Sequence, residues 1–95
     1  KIDLGKKDII HFIGIGGIGM SGLAQIMKNM GFNVQGSDQG KNKNTNNCSK
    51  LGIKIFLGHS KNNLRKASLV VKSSAIKSNN IELDYARKKK ITNLL

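Results

Sequence analysis

The sequence predicts an α/β fold, with a parallel sheet of about five strands between two layers of helices. Apolar runs typical of buried strands alternate along the chain with segments of helical periodicity. The connections between them are short, and a glycine-rich turn at residues 14–19 joins the first strand to the first helix. Because alternating strands and helices form parallel sheets with right-handed crossovers, we expect one Rossmann-like, three-layer α/β/α domain.

The first strand and the first helix have the clearest patterns. Residues 9–13 form an apolar run that indicates a buried parallel strand. Within residues 18–30, apolar side chains recur at i, i+3, i+4 and i+7 from Met20, which predicts an amphipathic helix. Gly31 is placed to cap the C-terminus of that helix. His11, which interrupts the apolar run of the strand, is interpreted as a structural residue.

The middle of the chain is predicted to contain two more strands and one short helix. Residues 32–36 indicate a second strand, and residues 39–47 form a loop rich in glycine, lysine and asparagine. A short helix is expected over residues 45–51, closed by Gly52. The apolar residues 53–57 then predict a third strand.

The last third of the chain repeats the alternation. The predicted elements are a helical turn at 62–66, a strand at 69–72, a helix at 80–89 and a fifth strand that begins within 91–95. The helix is expected to bury one face, formed by Ile81, Tyr85 and Ala86.

Composition narrows the possible classes of function. The chain has 95 residues and a formal net charge of +12. Scattered lysines could bind nucleic-acid phosphates, but few aromatic residues are present to stack on bases, so a basic nucleic-acid-binding module is a less favoured alternative. The lone Cys48 fits a reducing, cytoplasmic setting, and no apolar stretch approaches the length of a membrane span. We interpret the chain as a segment of a larger protein.

The glycine-rich turn is the strongest candidate for a binding site. Gly14 would permit the tight turn, Gly16 would let the backbone approach a ligand, and Gly19 would let the helix pack close to the strand. The start of the helix would then offer amides to an anion, typically a diphosphate. The alternative is a βα turn without a ligand. The candidate contacts in this turn are Gly14, Gly16, Gly17, Ile18, Gly19, Met20 and Ser21.

Further candidates follow the other strands, because ligands of such sheets bind at the carboxyl ends of the strands. They are Ser37, Asp38, His59, Ser73 and Ser74. Asp38 lies where dinucleotide-binding folds place an acid that accepts hydrogen bonds from ribose hydroxyls, although it could instead shape the following loop. No His or Cys cluster has the spacing of a metal site, and the phosphate-binding motif G-x-x-x-x-G-K-[ST] is absent.

Several motifs resemble those of the Mur ligases. The segment HFIGIGGIGMSGLA, residues 11–24, resembles the opening signature of that family. The resemblance continues through Gly36-Ser37-Asp38, Gly58-His59 and the segments 70–76 and 80–86. Ser78, Ile81 and Thr92 depart from the pattern, because the family usually has proline there, and these losses put only local rigidity in doubt.

The resemblance implies a cytoplasmic, three-domain ligase of peptidoglycan synthesis, a pathway of cell shape and division. The implied reaction uses ATP and magnesium to join L-alanine to the lactyl carboxylate of UDP-N-acetylmuramate. Residues 1–95 would be its N-terminal domain and would hold the UDP part of that substrate. ATP and magnesium would bind elsewhere, the isolated segment would be inactive, and neither a specific nucleic acid nor a membrane would be a partner. The alternative is the NAD(P)-binding domain of an oxidoreductase.

Overall fold

A computed structural model describes residues 7–94 and contains a five-stranded sheet. The elements in chain order are β1 Ile9–Ile13, α1 Met20–Asn29, β2 Asn33–Asp38, α2 Lys43–Lys50, β3 Lys54–Leu57, a 3₁₀ turn Lys61–Leu64, β4 Ala67–Lys72, α3 Ile81–Lys88 and β5 Thr92–Asn93. The strands pair in the order β3-β2-β1-β4-β5, and every pair is parallel. This order matches a dinucleotide-binding sheet, so the predicted fold class is confirmed.

Helices cover both faces of the sheet, and β1 contributes to both cores because successive side chains of a strand point to opposite faces. Ile10 and Phe12 pack toward α1 and α2, whereas Ile13 packs toward α3. The buried core on the α1–α2 face also contains Ile15, Ala24, Val34, Cys48, Ile53, Leu69 and Val71. The core on the α3 face also contains Leu64, Val70, Leu83 and Ala86. No helix within residues 7–94 has the length and apolar character to cross a bilayer.

Helix α2 starts earlier than the sequence predicts, at Lys43, and the predicted loop at 39–47 is correspondingly shorter. The reason is a reciprocal cap. The Thr45 amide donates to Asn42 Oδ1 at 2.9 Å, and the Asn42 amide donates to Thr45 Oγ1 at 2.8 Å. Such a pair satisfies two amides at a helix start, and its sequence signal is the N-x-x-T spacing.

The buried face of α3 differs from the predicted one. Ile81 is 52% exposed, whereas Glu82, Leu83 and Ala86 are buried, and Tyr85 packs at the edge of the core. The sheet offers hydrogen-bond donors where α3 meets it, and those donors allow a carboxylate to take the inward position. The predicted burial of Ile81 is therefore wrong.

Candidate functional site

An open cleft lies at the carboxyl ends of β1, β2, β3 and β4, where open α/β sheets bind ligands. Its volume of about 670 Å³ suits a small molecule. The strand order reverses between β1 and β4, so the cleft sits at the switch point of the sheet. Its lining residues are Gly14, Gly16, Gly17, Asp38, Gln39, Asn42, His59, Ser73, Ala75, Ile76, Lys77, Asn79 and Asn80.

The structure brings half of the predicted site residues into this cleft. Those that line it are Gly14, Gly16, Gly17, Asp38, His59 and Ser73. The remaining six, which lie outside the lining, are Ile18, Gly19, Met20, Ser21, Ser37 and Ser74. Ile18 is 99% exposed beside α1, whereas Ser21 and Ser37 are buried. The sequence signal for the additional lining residues is weak, because most of them are polar loop residues after β2 and β4.

Two glycines of the turn are required by backbone conformation. Gly14 has a φ of 82° and Gly19 a φ of 85°, a region that side chains rarely adopt. A Cβ atom on Gly19 would meet nothing within 4 Å among the described residues, so the predicted close packing at Gly19 is wrong and its φ angle is the reason for glycine. Gly19 instead begins α1 as its N-cap residue.

Gly16 is glycine for a reason that the sequence does not indicate. A Cβ atom there would lie 2.8 Å from Asp38 Oδ2, 2.9 Å from Thr45 Cγ2 and 3.0 Å from Asn42 Nδ2. The absence of a side chain at Gly16 therefore lets the segment between β2 and α2 pack against the turn. A larger residue at this position would disturb that segment before it met any ligand.

Most amides of the turn already donate within the protein. Those of Gly14 and Ile15 donate to the Ser37 carbonyl at 2.9 and 3.0 Å, and that of Gly17 donates to the Gly14 carbonyl. Within residues 7–94 no hydrogen bond uses the amides of Ile18 or Gly19. An anion at this turn would therefore meet amides at the start of α1, where the helix dipole is also favourable.

Asp38 holds two loops together at the wall of the cleft. Its Oδ2 atom accepts from the Gly16 amide at 2.8 Å, and its Oδ1 atom accepts from the Gln39 amide at 2.8 Å. The carboxylate thus shapes the loop after β2, which was one of the two roles open from the sequence. Each oxygen keeps a second lone pair, and the ligand contact of Asp38 stays a prediction.

The resemblance to the Mur ligases implies a UDP-containing ligand, and replacing Asp38 by alanine is expected to weaken the binding of UDP on the order of ten- to a hundred-fold, because hydrogen bonds to a charged group are the stronger kind. It is also expected to lower the melting temperature, since two loop amides lose their acceptor. Calorimetry with UDP and thermal unfolding measure the two effects. Asp84→Ala, on the exposed side of α3, is the matched control, and unchanged affinity in folded Asp38→Ala would exclude the contact.

A buried carboxylate, Glu82, lies beneath the cleft and was not singled out from the sequence. Its Oε1 atom accepts from His11 Nε2–H at 2.7 Å and from the Ser37 hydroxyl at 2.6 Å. Its Oε2 atom accepts from the Ser60 amide at 3.0 Å and from Asn63 Nδ2 at 2.8 Å. We call Glu82 and these four donors the Glu82 network. It connects α3 to the middle of β1, to the end of β2 and to the segment after β3.

The Glu82 network keeps the carboxylate ionised. Burial raises the pKa of Glu82, but the hydrogen bond from His11, followed by those from Ser37 and Asn63, outweighs the effect of burial and lowers the pKa to about 2. Within residues 7–94 no lysine or arginine forms an ion pair with Glu82. The negative charge is therefore held mainly by directed hydrogen bonds.

His59 stands between the Glu82 network and the cleft. Its Nδ1 atom lies 3.0 Å from Ser37 Oγ and 3.5 Å from Glu82 Oε2, and its side chain is nearly buried. Because the Ser37 hydroxyl donates its proton to Glu82, its oxygen acts as acceptor toward His59. The other ring nitrogen of His59, Nε2, is the atom left for a ligand in the cleft.

A comparison with known families matches residues 9–94 to the family described as "Mur ligase family, catalytic domain". One relative, the UDP-N-acetylmuramate–L-alanine ligase of Pelagibacter ubique, is 62% identical over 91 residues, which cover 96% of this chain and 20% of the relative. The chain thus spans about a fifth of the length of this relative.

Solved structures of ligases named for UDP-N-acetylmuramate are also similar to this chain. The UDP-N-acetylmuramate-alanine ligase of Thermotoga maritima superposes with a TM-score of 0.84 at 40% identity, covering 88% of this chain and 20% of that one. A ligase of Neisseria meningitides named for UDP-N-acetylmuramate and the peptide L-alanyl-gamma-D-glutamyl-meso-diaminopimelate superposes with a TM-score of 0.84 at 30% identity, covering 92% and 28%. The fold is therefore similar to that of two ligases named for UDP-N-acetylmuramate.

Proposed function

This chain belongs to the Mur ligase family, and we propose that it is the N-terminal domain of a three-domain, cytoplasmic UDP-N-acetylmuramate–L-alanine ligase that holds the UDP part of the substrate. The whole protein would use ATP to join L-alanine to the lactyl carboxylate. The observation that carries the binding role is the cleft itself, because Gly14, Gly16 and Gly17 line it at the switch point of the sheet. The relatives named above support the choice of substrate.

The binding mode follows from the amides and side chains around the cleft. The diphosphate would approach the turn and the start of α1, where the amides of Ile18 and Gly19 are available. The nucleoside would then lie along the carboxyl ends of β2 and β3, beside Asp38 and His59. Ser73, after β4, would border the side of the cleft that faces the sugar.

This chain would bind the substrate without carrying the chemistry. Among residues 7–94 no group of three His, Cys, Asp or Glu side chains is arranged to hold a metal ion. The segment also lacks the phosphate-binding motif expected of an ATP site. As the resemblance to the family implies, ATP, magnesium and L-alanine would be bound by other parts of the whole protein.

Ligand-dependent stability tests the proposed binding. UDP-N-acetylmuramate at about a hundred times its dissociation constant is expected to stabilise the chain by about 2.7 kcal/mol, or on the order of 10 °C in melting temperature for a domain of this size. NADH at the same concentration is expected to give no comparable shift. Differential scanning fluorimetry with both ligands measures this difference.

Two controls make the result decisive. UDP alone should give most of the shift and free N-acetylmuramic acid little of it, because the proposed contacts are to the nucleotide. A shift with NADH and none with UDP-N-acetylmuramate would contradict the proposal and favour the NAD(P)-binding alternative.

A further inference from the structure

We infer that Glu82 and Ser37 are positioning residues that fix one tautomer of His59, so that Nε2 of His59 accepts a hydrogen bond from the nucleoside in the cleft. This inference rests on the proposed function for the identity of the ligand. Neither Glu82 nor Ser37 lines the cleft, and both are buried. Their influence on a ligand therefore passes through His59, which does line it.

The donors and acceptors around His11 can be assigned from one group that can only accept a hydrogen bond. The Asn63 carbonyl can only accept, and Gln35 Nε2 lies 2.7 Å from it, which fixes the orientation of the Gln35 amide. The same nitrogen lies 2.8 Å from His11 Nδ1. Because an amide nitrogen donates, His11 Nδ1 must be an unprotonated acceptor. His11 is therefore the neutral Nε2–H tautomer, and it donates to Glu82.

The same reasoning gives the opposite tautomer for His59. Glu82 Oε1 is an acceptor, so the Ser37 hydroxyl at 2.6 Å gives its proton to the carboxylate. The Ser37 oxygen then presents a lone pair to His59 Nδ1 at 3.0 Å, and that nitrogen must carry hydrogen. The nearby negative Oε2 of Glu82, 3.5 Å away, also favours a proton at this position.

Neutral His59 with hydrogen on Nδ1 has an unprotonated Nε2. This atom can pair with an N–H or O–H group but not with a phosphate oxygen, which only accepts. The matching group on UDP is a ribose hydroxyl or the imide N–H of the base. Glu82 would thus help to select the nucleoside end of the ligand, although it does not line the cleft itself.

Histidine NMR tests the tautomers directly. His11 and His59 are the two histidines of the sequence, and a His59→Gln variant identifies their signals. In long-range ¹H–¹⁵N spectra at about pH 8, where imidazoles are ordinarily neutral, we expect a protonated Nδ1 on His59 and a protonated Nε2 on His11. A protonated Nε2 on His59, in either a neutral or a charged ring, would overturn the inference.

Ser37→Ala removes the hydrogen bonds that link Glu82 to His59 and leaves the buried charge in place, 3.5 Å from His59 Nδ1. It is expected to give mixed tautomers of His59 and a roughly ten-fold weaker affinity for UDP. Ser68→Ala, the same change on β4 at the end away from the cleft, should alter neither. Unchanged UDP affinity and an unchanged His59 spectrum in Ser37→Ala would overturn the positioning role.

Ligand analogues separate the two possible donors. If the imide N–H pairs with His59, N3-methyl-UDP should lose affinity, and 2′-deoxy-UDP and 3′-deoxy-UDP should keep it. If a ribose hydroxyl pairs with His59, the analogue that lacks this hydroxyl should lose affinity, and N3-methyl-UDP should keep it. Full affinity of all three analogues would overturn the acceptor role of Nε2. Failure of the wild-type chain to bind UDP at all would instead overturn the proposed function, while the tautomer spectra would still decide the positioning of His59.

Discussion

Replacing Glu82 by glutamine is expected to lower the free energy of unfolding by about 3 kcal/mol or more, within the range typical for breaking a buried charged network. A glutamine side chain has one acceptor oxygen and one donor nitrogen. If the nitrogen takes the Oε2 position it faces the Ser60 amide, which is also a donor. If it takes the Oε1 position it faces His11 Nε2–H, whose tautomer is held by Gln35. Neither orientation satisfies the donors around it.

Urea unfolding at neutral pH measures this loss. The matched control is Asp84→Asn, in the same first turn of α3. Asp84 is exposed and pairs with Lys88 at 3.1 Å, a surface contact worth about 0.3–0.5 kcal/mol. Equal stability of Glu82→Gln and Asp84→Asn would show that the Glu82 network does not hold the domain together.

The Glu82 carboxylate also makes the stability of the wild-type chain depend on pH in the acid range. The pKa of Glu82 is about 2 in the folded protein against an ordinary 4.5, so the unfolded chain binds the proton more tightly. The stabilisation from Glu82 is therefore complete above about pH 5 and is lost as the pH falls toward about 2. The difference between the two pKa values corresponds to on the order of 3 kcal/mol in the free energy of unfolding. In Glu82→Gln this part of the acid dependence should be absent.

The fold was predictable because its signals are local. Apolar runs, helical periodicity and the glycine-rich turn define β1 and α1 from short stretches of sequence, and the structure confirms β1 over Ile9–Ile13. The boundary of α2 was missed because an Asn–Thr cap is a weaker signal than a glycine or an apolar repeat. The carboxyl ends of the strands were a sound guide to the cleft, since topology alone brings them together.

The Glu82 network could not be predicted in this way. Glu82 and Asp84 stand two positions apart at the start of one helix, and the sequence gives no reason to bury one and expose the other. His11 and Ser37, which make Glu82 acceptable in the core, are 71 and 45 positions away along the chain. Only the packed sheet shows that their donors converge on one carboxylate, and that Ser37, a predicted ligand contact, is buried with its hydroxyl donating to Glu82.

Gly36 is a second residue whose structural role could not be predicted from the sequence. Its substitution is also expected to lower the stability of the domain strongly. Its segment was predicted as a strand, but nothing in the pattern indicated that a side chain would be forbidden there. In the structure, Gly36 is buried in β2, and a Cβ atom on it would lie 2.6 Å from both Cβ and Cδ1 of Ile15. Ile15 is fully buried directly after β1, so the collision falls where the sheet meets the glycine-rich turn.

Gly36→Ala is therefore expected to destabilise the domain by about 3 kcal/mol, the upper part of the usual range for overpacking a core. Gly22→Ala is the matched control, because Gly22 is exposed in α1 and a Cβ atom there meets nothing within 4 Å among the described residues. That change should be neutral or stabilise by up to about 1 kcal/mol, since alanine favours helix. Chemical unfolding of both variants gives the comparison. Equal stabilities would mean that Ile15 can move away from β2, and the turn that Ile15 anchors would then be less rigid than the contact implies.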